Sequence, residues 1–488
     1  MNPILFISVL SLSLSFLTPP LRCPISFDGE NSKKIALKRE MEEHDGRRPQ
    51  PLVVLTSSPF HGHMTPTLQL ATTLHAKGFP IAIAHSKLNP PNPSNHPSDF
   101  TFLPLSDNLP AVEGTGGFAK FINTLNNNCK GSFKEHLTRL VNEGNKPIVV
   151  IYDSVMYFAG VVADDLNLPH IMFRTTSASF IPALLLRQQV RQHGRFLEED
   201  FVMQEVVPNQ NLLRYKDLPF SKTPIEDWKQ HVANYSQQAH PSALVCNTIK
   251  FLEHDSLTQV HNILQVPVFA VGPLHKLAPN SSSGSCQEDT SCITWLDKQP
   301  PKSVVYISFG SLATMETKML IEMAWGLAKS NQRFLWVVRP GSVCGSHWLE
   351  LLPEGFVEET RERGLIVKWA PQKEVLAHFA VGGFWSHCGW NSCLESISSG
   401  VVMICQPFIV DQMLNARYVS YVWKIGLELE WVERGEVERM IRRVMVDEEG
   451  VEMRVRVNDM KEMVKEAVGD DGSSQKSLED LVDFILSC

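Results

Sequence analysis

The sequence predicts an α/β fold of two parallel-sheet domains facing each other across a cleft, and three observations carry that prediction. Apolar residues come in short continuous runs of strand length, such as Leu52-Val-Val-Leu-Thr56, Ile148-Val-Val-Ile-Tyr152 and Ser303-Val-Val-Tyr-Ile-Ser-Phe309. Runs without polar alternation belong to strands buried on both faces, as parallel strands are. These runs alternate with helical patterns, which builds successive βαβ units. A polar, Ser-rich break at 278–291 then divides the pattern into two stretches, each long enough for a domain.

Taken in order, Leu52–Thr56 is bounded by Ser57-Ser58-Pro59. A turn containing Gly62 follows, then a helical pattern through Leu68, Leu70, Ala71 and Leu74 that Gly78 closes. Phe79–Ala84 is the next strand. Ile148–Tyr152 ends in Asp153 and precedes a helix through Val162, and His170–Phe173 and Ala243–Cys246 continue the alternation. Beyond the break come a strand at Ser303–Phe309, a helix at Lys318–Lys329, and strands at Phe334–Val338, Leu365–Val367, Val381–Phe384 and Val401–Ile404. Charged amphipathic helices are expected at 434–448, 451–468 and 474–487. The expected division is a first domain at 49–277, a linker at 278–291, a second domain at 292–468, and a final helix at 469–488 that packs back on the first domain.

The 488 residues are 43% hydrophobic, so a large core is within reach, and about 100–200 residues per domain makes two domains the natural division. A formal charge of -8 without any extended basic run argues against nucleic acid as a main partner. The ten cysteines include no Cys-x-x-Cys and no zinc-ligand spacing, which fits an enzyme of a reducing compartment. Ile4–Leu21 is apolar and Ser-rich, yet no Lys or Arg precedes it and Pro19-Pro20 ends it. It makes a poor signal peptide and a poor membrane span. Residues 1–48 are therefore expected to be an extension outside the fold, with Met41 as a normal start, and the chain is expected to be cytoplasmic without stable membrane insertion.

Two constellations carry chemistry. Gly382-Gly-Phe-Trp-Ser386 reads as a strand that Cys388-Gly389 turns into a helix holding Asn391, Ser392 and Glu395. Such a turn aims free backbone N–H groups and a helix dipole at one point, which suits a phosphate. His387 and Ser392 sit where they add donors, and Glu395, one turn on from Asn391, suits a ribose diol. In the first half, Pro59-Phe60-His61-Gly62-His63 lies between a strand and a helix, where open α/β sheets place their chemistry. A histidine there serves as a general base at neutral pH, with Asp153 opening onto the same sheet edge to orient it. Chemistry alone leaves His61 and His63 both open as the base. Taken singly, Trp369 reads as core, and Asp411 or Glu395 as helix-terminal charges; their joint spacing favours a site.

The stretch from Trp369 to Gln412 resembles, over its whole length, the signature box of plant UDP-sugar-dependent glycosyltransferases, and residues 49–488 are similar to that family. The resemblance implies a fold of the GT-B type. It implies that Trp369 stacks on uracil with Ala370 beside it, that Gln372 holds the nucleoside, and that Glu395 holds the ribose. His387 would meet the diphosphate with Trp390, Asn391 and Ser392 beside it, and Ser311 would lie near the same phosphates. Asp411 and Gln412 would read the sugar, with Thr175 near it; Gln at this last position goes with a glucose donor. The resemblance decides for His63, paired with Asp153, as the catalytic base. Cys393 stands where the family usually has Thr, and His61 where Gln is common.

The reading is an inverting transferase that moves glucose from UDP-glucose to a small plant metabolite, with no permanently bound cofactor. The chain lacks the Asp-x-Asp pair that other nucleotide-sugar enzymes use to hold a metal, so no metal is expected. Thr124–Cys129, Asp255-Ser256-Leu257 and Val338–Ser342 resemble one subgroup, whose acceptors include cytokinins, diterpenoid glycosides, benzoxazinoids and small acids. Met156, Phe180 and Phe408 are expected to line the acceptor pocket, and the chain is expected to act as a monomer. A hydrolase built on His63 and Asp153, or a non-catalytic nucleotide-sugar-binding protein, is the alternative; the hydrolase lacks a Gly-x-Ser-x-Gly elbow.

Overall fold

The computed structural model describes residues 50–108, 117–144, 147–192, 203–208, 212–220, 240–278, 288–345 and 348–488. The N-terminal extension and most of the Ser-rich break lie outside the described residues. From Gln50 onward the described chain forms one compact unit built on two sheets.

The first sheet contains β1 (Leu52–Ser57), β2 (Ile81–Ser86), β3 (Thr101–Leu105), β4 (Ile148–Asp153), β5 (His170–Arg174), β6 (Ala243–Cys246) and β7 (Val268–Ala270). Their order is β3-β2-β1-β4-β5-β6-β7, and every pair is parallel. The second contains β8 (Val304–Ser308), β9 (Arg333–Val337), β10 (Gly364–Val367), β11 (Val381–Ser386), β12 (Val402–Cys405) and β13 (Gly426–Glu428), ordered β10-β9-β8-β11-β12-β13 and again all parallel. In each sheet the chain winds outward one way and then returns to wind the other. The switch falls between β1 and β4 in the first sheet and between β8 and β11 in the second, and a crevice opens at the carboxyl ends of such strands.

Apolar continuity explains the burial. Val53, Val54 and Leu55 are fully buried, with successive side chains entering cores on opposite faces of the sheet. One face is covered by the helix His61–Ala76 and by the last helix, Ser473–Ser487, whose Leu478, Leu481 and Ile485 join the same core as Val53 and Phe79. The other face is covered by the helices Gly117–Glu143 and Phe158–Asp165.

Boundaries differ from expectation for local reasons. The strand expected to begin at Phe79 begins at Ile81, because Pro80 has no N–H for the ladder and gives only its carbonyl, to Val53 N–H at 3.0 Å. The turn expected around Gly62 is instead the first turn of the helix His61–Ala76, with Phe60 at its N-cap. The helix pair expected to break near 449 breaks at Val446-Asp447, between Arg434–Met445 and Glu448–Val468.

A segment of the first half, residues 212–220, reaches across to the second. Arg214 pairs with Asp217 at 2.8 Å and with Glu428 at 2.6 Å, Lys216 with Glu430 at 2.7 Å, and Arg417 donates to the Leu212 carbonyl at 2.8 Å. These bonds fasten the two halves beside the loop that carries Asp411 and Gln412.

Candidate active site

The two switch points face one cleft. From the first half it is lined by Phe60, His61, His63, Thr175 and Phe180; from the second by Ser311, Trp369, Ala370, Gln372, His387, Trp390, Asn391, Ser392, Glu395, Asp411 and Gln412. Asp153 stands directly behind this wall, fully buried.

On the first half, Asp153 closes β4 and His63 lies in the first helical turn after β1, so neighbouring parallel strands deliver both. His63 Nδ1 lies 2.9 Å from Asp153 Oδ2. The carboxylate also accepts the Ser58 N–H at Oδ2 and the Val155 N–H at Oδ1, each at 3.2 Å. An acceptor-only carboxylate requires the proton on Nδ1, which leaves Nε2 as the basic nitrogen. Burial opposes charge on the ring, but the charge and hydrogen bond of Asp153 outweigh it and raise the His63 pKa above 6.5. Burial likewise opposes charge on Asp153, and His63 with the two backbone N–H groups carries its pKa below 3.8. Thr175 Oγ1 lies 2.9 Å from the same Nδ1. Because Nδ1 carries the proton shared with Asp153, Thr175 can only accept from it, and the Thr175 O–H hydrogen is directed elsewhere. His61 projects elsewhere, its ring 5.7 Å from that of Trp369, with its pKa lowered by burial and by the charge of Arg339.

On the second half, β11 ends at Ser386, Cys388 adopts a left-handed φ of 61°, and the helix Trp390–Ser399 begins after Gly389. Glycine is needed on both sides of His387. A Cβ at Gly310 would lie 2.6 Å from His387 Nε2, and one at Gly389 would lie 2.5 Å from it. Burial, helped by the Arg339 charge, lowers the His387 pKa to about 4, so in this state the ring is a neutral hydrogen-bonding group. Arg339 supplies positive charge nearby, and His387 Nδ1 is buried without a hydrogen-bond partner.

The nucleoside end is a preformed polar cluster. Gln372 Nε2 donates to Ser392 Oγ at 2.9 Å and to Glu395 Oε2 at 2.8 Å, while Tyr306 donates its hydroxyl to Gln372 Oε1 at 3.4 Å. Burial raises the Glu395 pKa to about 7 despite the Gln372 bond. At the sugar end, Asn415 Nδ2 donates to the Cys388 carbonyl at 3.0 Å and to Asp411 Oδ2 at 2.9 Å. Burial raises the Asp411 pKa. Gln412 Oε1 accepts the Phe408 and Ile409 N–H groups at 2.8 and 3.1 Å. Trp390 spends its indole N–H on the Asn247 carbonyl, at 2.7 Å, and so ties the halves together as well as lining the cleft.

Three comparisons bear on this cleft. A protein-family model described as "UDP-glucoronosyl and UDP-glucosyl transferase" matches residues 228–459. UDP-glycosyltransferase 76H1 of Stevia rebaudiana is 52% identical over 424 residues, covering 86% of this chain and 100% of the relative. Flavonol 3-O-glucosyltransferase UGT76E12 of Arabidopsis thaliana is 46% identical over 454 residues, covering 91% and 98%. The chain belongs to the plant UDP-glycosyltransferases. Among solved structures, Phytolacca americana UGT2 complexed with UDP-2fluoro-glucose and pterostilbene superposes with a TM-score of 0.76 at 27% identity, covering 89% of this chain and 99% of that one. A Polygonum tinctorium UDP-glucosyltransferase capable of glucosylating indoxyl, in complex with 3,4-dichloroaniline, gives 0.77 at 27%, covering 91% and 100%.

This glycosyltransferase differs from its sequence reading at the acceptor end. Phe180 lines the cleft, but Met156 does not: its N–H bonds back to the Asp153 carbonyl at 2.7 Å and its side chain is buried in the core. Phe408 also turns inward, onto the Phe309 ring at 5.5 Å. Phe60, Val155 and Phe220 line the cleft in their place. Residues missed from the sequence include Tyr306, Asn247, Asn415 and Arg174, a buried cleft-lining cation 4.8 Å over the Phe180 ring. The one available signal was position: Tyr306, Arg174 and Asn247 lie in or just after parallel strands. Among the described residues no helix is long and apolar enough to cross a membrane, and no three His, Cys, Asp or Glu side chains form a metal-holding group.

Proposed function

We propose that this enzyme transfers glucose from UDP-glucose to a hydroxyl, carboxyl or amine of a small plant metabolite, with inversion at the anomeric carbon. The observation that supports it best is the His63–Asp153 pair at 2.9 Å, facing the donor-box residues across the cleft. The first half, 49–277, holds the acceptor against Phe60, Phe180 and Phe220. The second, 292–468, holds UDP-glucose, with uracil on Trp369 and Ala370, the ribose on Glu395 and Gln372, the diphosphate at Ser311, His387, Asn391, Ser392 and the N-terminus of the helix Trp390–Ser399, and glucose on Asp411 and Gln412. His63 Nε2 takes the proton of an acceptor hydroxyl, the oxygen attacks the anomeric carbon, and UDP leaves from the opposite face. The imidazolium so formed is stabilised by Asp153. A carboxylate acceptor needs no such base.

Relatives and neighbours support a phenolic or similarly flat acceptor: a flavonol glucosyltransferase is 46% identical, and pterostilbene is bound in one structural neighbour. Transfer proceeds without a metal, the helix N-terminus and the Arg339 charge supporting the leaving diphosphate. The test is a panel of flavonols, stilbenoids, terpenoid glycosides and purines incubated with UDP-glucose, with and without EDTA. A β-linked glucoside, formed equally well in EDTA and lost in His63→Ala, is the expected product. Hydrolysis alone, or UDP-sugar binding without any product, would favour the hydrolase or the binding protein instead.

A further inference from the structure

Asn391 occupies the second position of the helix that opens the donor box, and its carboxamide is held from the other half of the enzyme. Its Oδ1 accepts from Asn247 Nδ2 at 3.3 Å, and its Nδ2 donates to the Gly62 carbonyl, between the two histidines, at 2.9 Å. Asn247, 2% exposed, follows β6. Its own orientation is fixed, because its Oδ1 accepts the Leu274 N–H at 3.0 Å and only its NH2 remains for Asn391. Its backbone carbonyl receives the Trp390 indole N–H at 2.7 Å. Two consecutive donor-box residues thus dock on one residue of the opposite half.

We propose that Asn247 is a positioning residue for donor binding: it fixes the Asn391 carboxamide with its NH2 toward the diphosphate turn and the His63 helix. An unheld carboxamide exchanges its oxygen and nitrogen by a half-turn, and the oxygen repels phosphate where the NH2 attracts it. With Oδ1 committed to Asn247, the NH2 has one hydrogen on the Gly62 carbonyl and one left for a phosphate oxygen. The first half, which carries the base, thereby contributes to nucleotide affinity through a residue outside the donor box. This inference rests on the reading of Asn391 as a diphosphate contact.

The experiment compares binding of UDP and of uridine, which lacks the phosphates, to wild type and Asn247→Asp between pH 6 and 9. An ionised Asp still accepts the Leu274 N–H but repels Asn391 Oδ1, which either turns the carboxamide round against the Gly62 carbonyl or pushes it out of place; a neutral Asp donates an O–H and restores it. UDP affinity relative to wild type is expected to fall roughly 5- to 100-fold as the variant carboxyl ionises, the range for one unmet buried polar group, with uridine affinity unchanged. Asn247→Ser, too short to reach Asn391, gives a smaller, pH-independent loss of UDP affinity and serves if the Asp variant does not fold. UDP binding equal to wild type in the folded variants, or equal losses for UDP and uridine as a general packing defect gives, would overturn the proposal. Asn391→Ala separates the two readings. If it binds UDP like wild type, the diphosphate role itself fails; if it loses UDP affinity while the Asn247 variants do not, only the positioning role fails.

Discussion

Asp153 Oδ2 lies 2.9 Å from His63 Nδ1, and the same oxygen receives the Ser58 backbone N–H, so strand β4 holds the ring while the first turn of the helix after β1 presents it. Asp153→Asn removes the charge that stabilises the imidazolium and offers an NH2 that can force the wrong tautomer. Both Asp153→Asn and His63→Ala are expected to lower kcat for hydroxyl acceptors by about 10²–10⁴. Calorimetric affinity for UDP should stay near wild type. Loss of activity in His61→Ala with little change in His63→Ala would reassign the base.

The pH dependence follows from the same pair. His63 is raised above 6.5, and only its neutral form accepts a proton. The kcat/KM for a hydroxyl acceptor should therefore fall as pH drops through a value above 6.5. In Asp153→Asn the residual activity should show that limb at lower pH, because the largest effects opposing burial are removed and only the Asp411 charge still raises the ring. A carboxylate acceptor, already ionised, should lack this limb; a profile identical for both acceptor types would count against His63 as the base.

Glu395 gives a second titration with a different readout. Its pKa of about 7 means that the carboxyl is only partly ionised at neutrality, and an ionised carboxylate accepts two ribose hydroxyls where a neutral one accepts less well. Uridine affinity is expected to rise with pH through about 7, and Glu395→Gln should flatten that rise while weakening binding. Titration calorimetry at several pH values measures it, and a flat wild-type curve would remove Glu395 from the ribose.

The parts legible in the sequence were those fixed by strand ends. Asp153 and Ser386 terminate unbroken apolar runs, so the edge they share with His63 or His387 follows from parallel topology. What stayed hidden depends on where side chains turn after the strand. Met156 is three residues past Asp153, but a tight turn bonded to the Asp153 carbonyl sends it into the core. Trp390 sits at the expected place, yet its indole N–H is used within the protein, on Asn247, and no spacing shows which way an indole N–H faces. Asn247 lies far from the donor box in sequence, and only the closed cleft brings it to Asn391.

Donor choice is expected to turn on how Gln412 faces. Its Oε1 accepts two backbone N–H groups, from Phe408 and Ile409, which an NH2 cannot do, so the amide cannot be reversed and the cleft receives only its NH2. Toward the cleft Gln412 presents a donor, and the acceptor beside it is Asp411, whose Oδ2 is steadied by Asn415. A donor beside an acceptor matches adjacent equatorial hydroxyls of glucose, one accepting and one donating. Galactose, with an axial 4-hydroxyl, loses one of these bonds, and an unmet buried polar group costs about 1–3 kcal/mol, roughly 5- to 100-fold. UDP-glucose should exceed UDP-galactose in kcat/KM by that range, and Gln412→His should narrow the gap. Gln412→Glu still holds the Phe408 and Ile409 N–H groups but turns an oxygen to the sugar. It should keep the wild-type Tm and lose the preference together with most of the rate on UDP-glucose. Equal kcat/KM for the two donors on wild type would mean that Asp411 and Gln412 do not read the sugar, and an unchanged preference in Gln412→Glu would mean that its NH2 does not.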